Sequence, residues 1–216
     1  MNRVPILVVL MAGLSLSACG TGTVQGSGNV TSERRDVGGF DEVELQGIGD
    51  LTVRQTGSES LTIEAEDNII PSLKTEVENN RLTIGVEDNT AVRTTKPINY
   101  ELTVKDLNAL ILSGSGNIDA ADIRTDELKV TLSGSGRVKA AGKADTQVID
   151  ISGSGNYQAE NLESEDVRVE VDGSGTATVN ASDKLNVEIR GSGSVEYDGN
   201  PTVSQDISGS GRVRKR

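Results

Sequence analysis

The chain contains no histidine and no tryptophan, a single cysteine, and only four aromatic residues, Phe40, Tyr100, Tyr157 and Tyr197. Without histidine, a His-based catalytic triad is impossible. One cysteine cannot supply the three or four ligands that a zinc site draws from Cys and His, which excludes structural zinc as well. Recognition of sugar rings or unpaired bases by stacking needs aromatic faces, and an aromatic content of 2% barely provides them. Basic residues are outnumbered too. The net charge of −12 and the pI near 4.5 oppose binding to a phosphate backbone, which is driven by Lys and Arg displacing counterions. Nucleic acid is not an expected partner, and no cofactor, metal or catalytic residue is expected.

What the chain has in quantity is glycine, 25 residues in 216, among many Val, Ile, Leu, Thr and Ser. That composition and length point to one β-rich domain with frequent turns. The N-terminus differs from the rest. Residues 1–18 carry one cation, Arg3, then an apolar stretch from Val4 to Leu16 and small residues leading to Cys19, the layout of a secretory signal peptide. The apolar stretch is shorter than the roughly 20 residues a membrane-spanning helix needs. The ending Leu16-Ser17-Ala18-Cys19 resembles the bacterial lipobox, in which the cut falls before a cysteine whose thiol receives a diacylglycerol. The alternative is an ordinary signal peptide with a chance cysteine nearby. On the lipobox reading Cys19 is a lipid attachment site and ties the protein to a membrane, several acyl chains making attachment stable at about 0.8 kcal/mol per buried methylene. Similarity to known lipoproteins implies that Gly20, in place of an Asp retention signal, directs the protein to the outer membrane, facing the periplasm or the cell surface.

Internal repetition dominates the second half. Gly-Ser-Gly begins at Gly114, Gly134, Gly153, Gly173, Gly191 and Gly209, at intervals of 20, 19, 20, 18 and 18 residues. Each triplet is preceded by alternating apolar residues, such as Leu128, Val130 and Leu132, and followed by another alternation, such as Val138 and Ala140. Lys129, Thr131, Arg137 and Lys139 fall between them, so one face of each strand is dry and the other wet. A single coil of this kind cannot bury its own apolar face. Stacking coils about 4.8 Å apart pairs every strand with the one above and below, which predicts an all-β parallel β-helix, a solenoid with coils of about 18–20 residues.

Glycine at a repeated corner supplies positive φ or close backbone approach. The competing reading, a phosphate-cradling loop, requires Gly-Lys-Ser/Thr opening a helix or a third glycine at dinucleotide spacing, and neither pattern is completed. A nucleophile elbow would place one residue on each side of the serine, whereas here Ser sits directly between glycines. The nine-residue calcium-binding repeat is absent as well. Acidic residues such as Asp119, Asp122, Glu160 and Glu163 could bind a hard cation weakly, but read more simply as solvated surface charge.

Residues 19–39 are polar and Gly/Ser-containing, a tether that could join the first coil through Gly26-Ser27-Gly28. The β-helix domain is expected over 40–216. Val43 and Leu45, then Gly47-Ile48-Gly49, then Leu51 and Val53 read as strand, corner and strand. Leu73–Val77 and Leu82–Val86 read as a hairpin across Asn79-Asn80, a pair tolerant of positive φ. A brief turn is expected around Asn68–Pro71, a loop over 87–98, and a strand at Tyr100, Leu102 and Val104.

Taken in order, Gly39-Phe40-Asp41-Glu42-Val43, Gly49-Asp50-Leu51-Thr52-Val53, the Asn80-Arg81-Leu82-Thr83-Ile84 hairpin, and Leu107–Gly116 running into the Gly-Ser-Gly coils resemble the bacterial head GIN domain family, the auto-transporter adhesin domain, over about residues 25–216. The resemblance implies a right-handed parallel β-helix on an exported, often lipidated protein, and carries over no catalytic residues.

Three functions compete. The first is a non-enzymatic, lipid-anchored envelope protein whose rigid β-helix binds an envelope protein or a surface polysaccharide, with adhesion as the specific version. The second is an envelope structural or assembly role. The third is a polysaccharide-active enzyme, since two carboxylates about 5 to 10 Å apart suffice for glycoside hydrolysis. Sparse aromatics and regular coils without a cleft-forming insertion argue against the enzyme. The C-terminal Arg212-Val213-Arg214-Lys215-Arg216 reads either as edge protection for the last coil or as a contact with anionic head groups.

Overall fold

The computed structural model describes residues 23–216, so the expected signal segment 1–18 and Cys19 lie outside the described residues. In chain order the first strands are β1 (Thr23–Gln25), β2 (Val30–Arg35), β3 (Glu42–Gly47), β4 (Asp50–Gln55) and β5 (Ser60–Glu66). A 3₁₀ turn at Ile70–Ser72 leads to β6 (Leu73–Glu78), β7 (Arg81–Val86), β8 (Ala91–Arg93) and β9 (Asn99–Val104). The repeats follow as β10 (Ala109–Gly114), β11 (Asn117–Gly134), β12 (Arg137–Gly153), β13 (Asn156–Gly173) and β14 (Thr176–Gly191). The last are β15 (Ser194–Gly199), β16 (Thr202–Gly209) and β17 (Arg212–Lys215). Together they form a β-solenoid of about five turns.

Every Gly-Ser-Gly from Gly114 onward is a corner between two parallel walls. β3, β10, the C-terminal parts of β11 to β14, and β16 stack in register as the first wall, so that Leu112 faces Leu45 on one side and Leu132 on the other. β4, the N-terminal parts of β11 to β14, then β15 and β17 form the second. The inward column of that second wall runs Leu51, Ile118, Val138, Tyr157, Ala177 and Val195, all buried. Each large aliphatic side chain in such a column contributes about 1.5–3 kcal/mol by leaving water.

The corners explain the glycines. Gly134 has φ +121°, and a Cβ there would sit 2.4 Å from the carbonyl oxygen of Gly114 in the coil before it. The same tight approach lets Ser135 N–H donate to that carbonyl at 3.0 Å, continuing the ladder around the bend. Coils of unequal length stay in register because the surplus residue is absorbed on the third side, as in the shift between Ala120 and Ile123 beside Asp122, whose φ is +61°.

The first coils are built differently. β7 adds to β3 in parallel, and β6 folds back antiparallel on β7 through Asn79 (φ 51°) and Asn80 (φ 65°), the hairpin expected there. β9 joins β4 in parallel, then β5 and β2 add antiparallel. Much of the stretch 23–39 is thus strand, and the expected loop 87–98 contains β8, which pairs with β1.

Two polar clasps hold this end together. Arg35 donates to the carbonyl oxygens of Ile70 (3.0 Å) and Leu73 (2.6 Å) and to Thr75 Oγ1 (3.0 Å), tying β2 to the 3₁₀ turn. The carboxylate of Glu66, 1% exposed, accepts from Thr95 Oγ1 (2.6 Å) and from the backbone N–H groups of Gly28 (2.7 Å) and Thr95 (2.9 Å). The Thr95 hydroxyl, more than any other single group, holds this carboxyl below its ordinary range against the opposing effect of burial. Inside the solenoid, Tyr157 O–H donates to Gln147 Oε1 (2.8 Å) and Gln147 Nε2 donates to Ser164 Oγ (2.7 Å). Gln147 replaces an apolar residue in the column Leu128, Gln147, Val167 and Leu185.

Candidate binding faces of the solenoid

Because side chains alternate across a strand and the coils are in register, the outward residues of each wall form ladders. On the second wall the column nearest the corner starts at Ser32, Glu64, Asn99, Asp50 and Asn117. It continues through Arg137, Asn156, Thr176, Ser194 and Arg212. The next column runs in the same way from Arg34 on β2 to Arg214 on β17 through Thr, Glu, Asp, Lys and Gln side chains. Ten strands at about 4.8 Å make a polar strip about 43 Å long. It has no apolar or aromatic side chain in either column.

The first wall carries a different pattern. Asp150, Glu170, Glu188 and Asp206 occupy one column on successive strands. Stacked carboxylates repel, and Arg190 offsets this by bonding Glu170, Glu188 and Asp172, the last at 3.3 Å. The Glu170 bond leads in raising the guanidinium above its ordinary value. All of these groups are solvated, so the cluster shapes surface potential rather than stability. A shallow groove of about 280 Å³ between these strands is lined by Arg168, Asn186, Glu188, Ser204 and Asp206 among others.

The acidic residues singled out in the sequence are dispersed. Asp119 lies 3.8 Å from Lys139, and Asp122 lies 3.3 Å from Arg54. Among the described residues no three His, Cys, Asp or Glu side chains are placed to hold a metal ion. The basic C-terminal run is a strand in register on β15: Arg214 bonds Glu196 at 2.5 Å and Arg216 bonds Asp198 at 3.2 Å. The serines of the Gly-Ser-Gly corners form a row along one solenoid edge, and Ile48, 40% exposed, takes that place in the Gly47-Ile48-Gly49 corner. Tyr100, inside the first coils, is pushed up to about 12 by burial.

Residues 39–201 match the family described as "Putative auto-transporter adhesin, head GIN domain". The chain belongs to this family. The head GIN domain is also similar to solved structures. A putative adhesin from Bacteroides fragilis superposes with a TM-score of 0.74 at 26% identity, covering 89% of this chain and all of that one. A putative lipid binding protein from Parabacteroides distasonis gives 0.60 at 25% identity, covering 90% of this chain and all of that one. A putative adhesin from the same species gives 0.59 at 23% identity over 90% of this chain and all of that one, a likeness of fold alone. No curated protein matches the chain. Within this head GIN domain, the ladder beside the corner was the feature missed in the sequence, although a signal for it existed. Arg137, Asn156, Thr176, Ser194 and Arg212 each directly follow a Gly-Ser-Gly triplet.

Proposed function

We propose that this chain is a non-enzymatic bacterial envelope protein, anchored by lipid on Cys19, whose rigid solenoid adheres to a polymer or partner at or beyond the cell surface. The observation that carries the reading is the uninterrupted polar strip of the second wall. Its many weak hydrogen-bonding positions are fixed in advance by the ladder, so binding an extended ligand orders little of the protein. Membership of a family described as adhesins supports an envelope or surface location. The lipobox Leu16–Cys19 supports the anchor. Shallow grooves favour binding over turnover. The "lipid binding" description of one structural relative fits a protein working beside a membrane.

The test is fractionation and protease treatment of cells carrying the full chain or its Cys19→Ala variant. The intact protein should sediment with membranes and be cleaved on unpermeabilised cells, and the variant should be released. A variant that stays membrane-bound refutes the anchor. Protection until permeabilisation refutes outward adhesion and points to an assembly role inside the envelope.

A further inference from the structure

The polar strip is not uniform, and its C-terminal half has the features of a site for one ligand class. In the column beside the corner, Arg137 and Arg212 stand at the two ends of Asn156, Thr176 and Ser194. Both arginines are exposed, and neither makes an ion pair or a side-chain hydrogen bond among the described residues. By contrast Lys139 has Asp119 at 3.8 Å and Arg214 has Glu196 at 2.5 Å in the adjacent column. Asn156, Thr176 and Ser194 likewise spend no side-chain donor or acceptor among the described residues, whereas Asn117, earlier in the same column, is committed to Asp50 at 2.7 Å. Two uncommitted guanidinium groups four strands apart, about 19 Å, therefore bracket uncommitted amide and hydroxyl groups on a flat wall.

On a chain of net charge −12 this is a local reversal of sign, and it fits a ligand that is anionic at intervals and hydroxyl-rich between them. The geometry points to a carboxylate-bearing polysaccharide lying along the solenoid axis, its acid groups paired with Arg137 and Arg212 and its hydroxyls bonded to Asn156, Thr176 and Ser194. Arg presents a planar fork that matches a carboxylate with two parallel hydrogen bonds. The flat wall offers no aromatic platform, so the ligand is held by polar contacts spread over its length. This inference rests on the adhesive reading above and narrows it to a ligand class.

Binding of the full chain to immobilised polygalacturonate, with neutral dextran as the comparison, tests it. Polygalacturonate should be retained, dextran should not, and retention should collapse at about 1 M salt, where the Debye length is about 3 Å. Fragments too short to span both arginines should bind far more weakly, since two linked contacts exceed one by about 10²–10⁴. The Arg137→Ala/Arg212→Ala variant should lose at least about tenfold for the same reason. Arg124→Ala/Lys143→Ala, on the third side of the coils, should retain binding, and Arg137→Lys/Arg212→Lys should restore part of it. Equal retention of both polymers overturns the assignment of charge while leaving polymer adhesion standing. Undiminished polygalacturonate binding by the double alanine variant, with its thermal transition unchanged, overturns the site. Binding of neither polymer overturns the ligand class, and the Cys19→Ala and protease experiments then decide the adhesive reading separately. Retention on anionic phospholipid vesicles in place of polygalacturonate also overturns it.

Discussion

Replacing Gly134 by alanine separates the two demands that a solenoid corner makes on its glycine. At φ +121° an L-residue is strained, at a cost of about 1–3 kcal/mol. The new Cβ would in addition meet the Gly114 carbonyl oxygen at 2.4 Å, and nothing on that backbone can swing away. Forcing the coils apart to admit it costs about 1–3 kcal/mol more by analogy with overpacked cores. Gly47, at the corner between β3 and β4, provides the comparison: its φ is +94°, but a Cβ there meets nothing within 4 Å. Gly47→Ala should therefore lose only the conformational part, about 1–3 kcal/mol, and Gly134→Ala about 2–6 kcal/mol. In urea, with a slope of about 1–3 kcal/mol/M, the extra loss moves the midpoint of Gly134→Ala roughly 1 M below that of Gly47→Ala. Equilibrium unfolding followed by far-ultraviolet circular dichroism reads the difference. Coincident midpoints would refute the view that close stacking of successive corners, rather than positive φ alone, selects glycine.

Tyr157→Phe removes the only donor that Gln147 Oε1 has among the described residues and leaves a buried carbonyl unpaired, a loss of about 1–3 kcal/mol in urea unfolding. Adding Gln147→Leu together with Ser164→Ala, which restores the apolar column and removes the hydroxyl that Gln147 Nε2 had served, should recover much of it, and failure of this triple variant to gain over the single would refute the account. Glu66 gives a pH signature. Its carboxyl is held below the ordinary value of 4.5 in the folded protein, so it contributes stability above that pH and loses it as the pH falls through the lowered value. Glu66→Gln should melt lower at neutral pH and show a shallower decline in Tm on acidification, and parallel curves for the two proteins would remove Glu66 from the acid transition.

The repeat architecture was legible because each requirement is local. A corner needs glycine within three residues, a strand needs alternation within six, and the period of Gly-Ser-Gly reports the circumference of a coil directly. The Asn79-Asn80 hairpin was legible for the same reason, since the turn chemistry sits in the two residues that make the turn. The first coils resisted. β1 finds β8 at a separation of 68 residues, through three-residue strands too short to show a period, and its position depends on the Glu66 and Asn68 side chains that hold the neighbouring loops. The basic C-terminal run read as edge protection for the last coil or as a contact with anionic head groups, and it is a strand because β15 offers it a matching edge and Glu196 and Asp198 offer it partners.

Sequence alone thus determined the coil, its dry and wet faces and the residue kinds at its corners, because these follow from chain stereochemistry and the burial of apolar side chains. Tertiary structure decided what the wet faces amount to. Whether a surface arginine is neutralised or left available depends on which carboxylate the neighbouring coil brings beside it. Asp119 comes beside Lys139 and Glu196 beside Arg214, whereas Arg137 faces Asn156 and Arg212 faces Ser194. Those pairings are set by register between coils whose lengths differ, and the bulges that keep that register are a property of the stacked solenoid rather than of any one repeat.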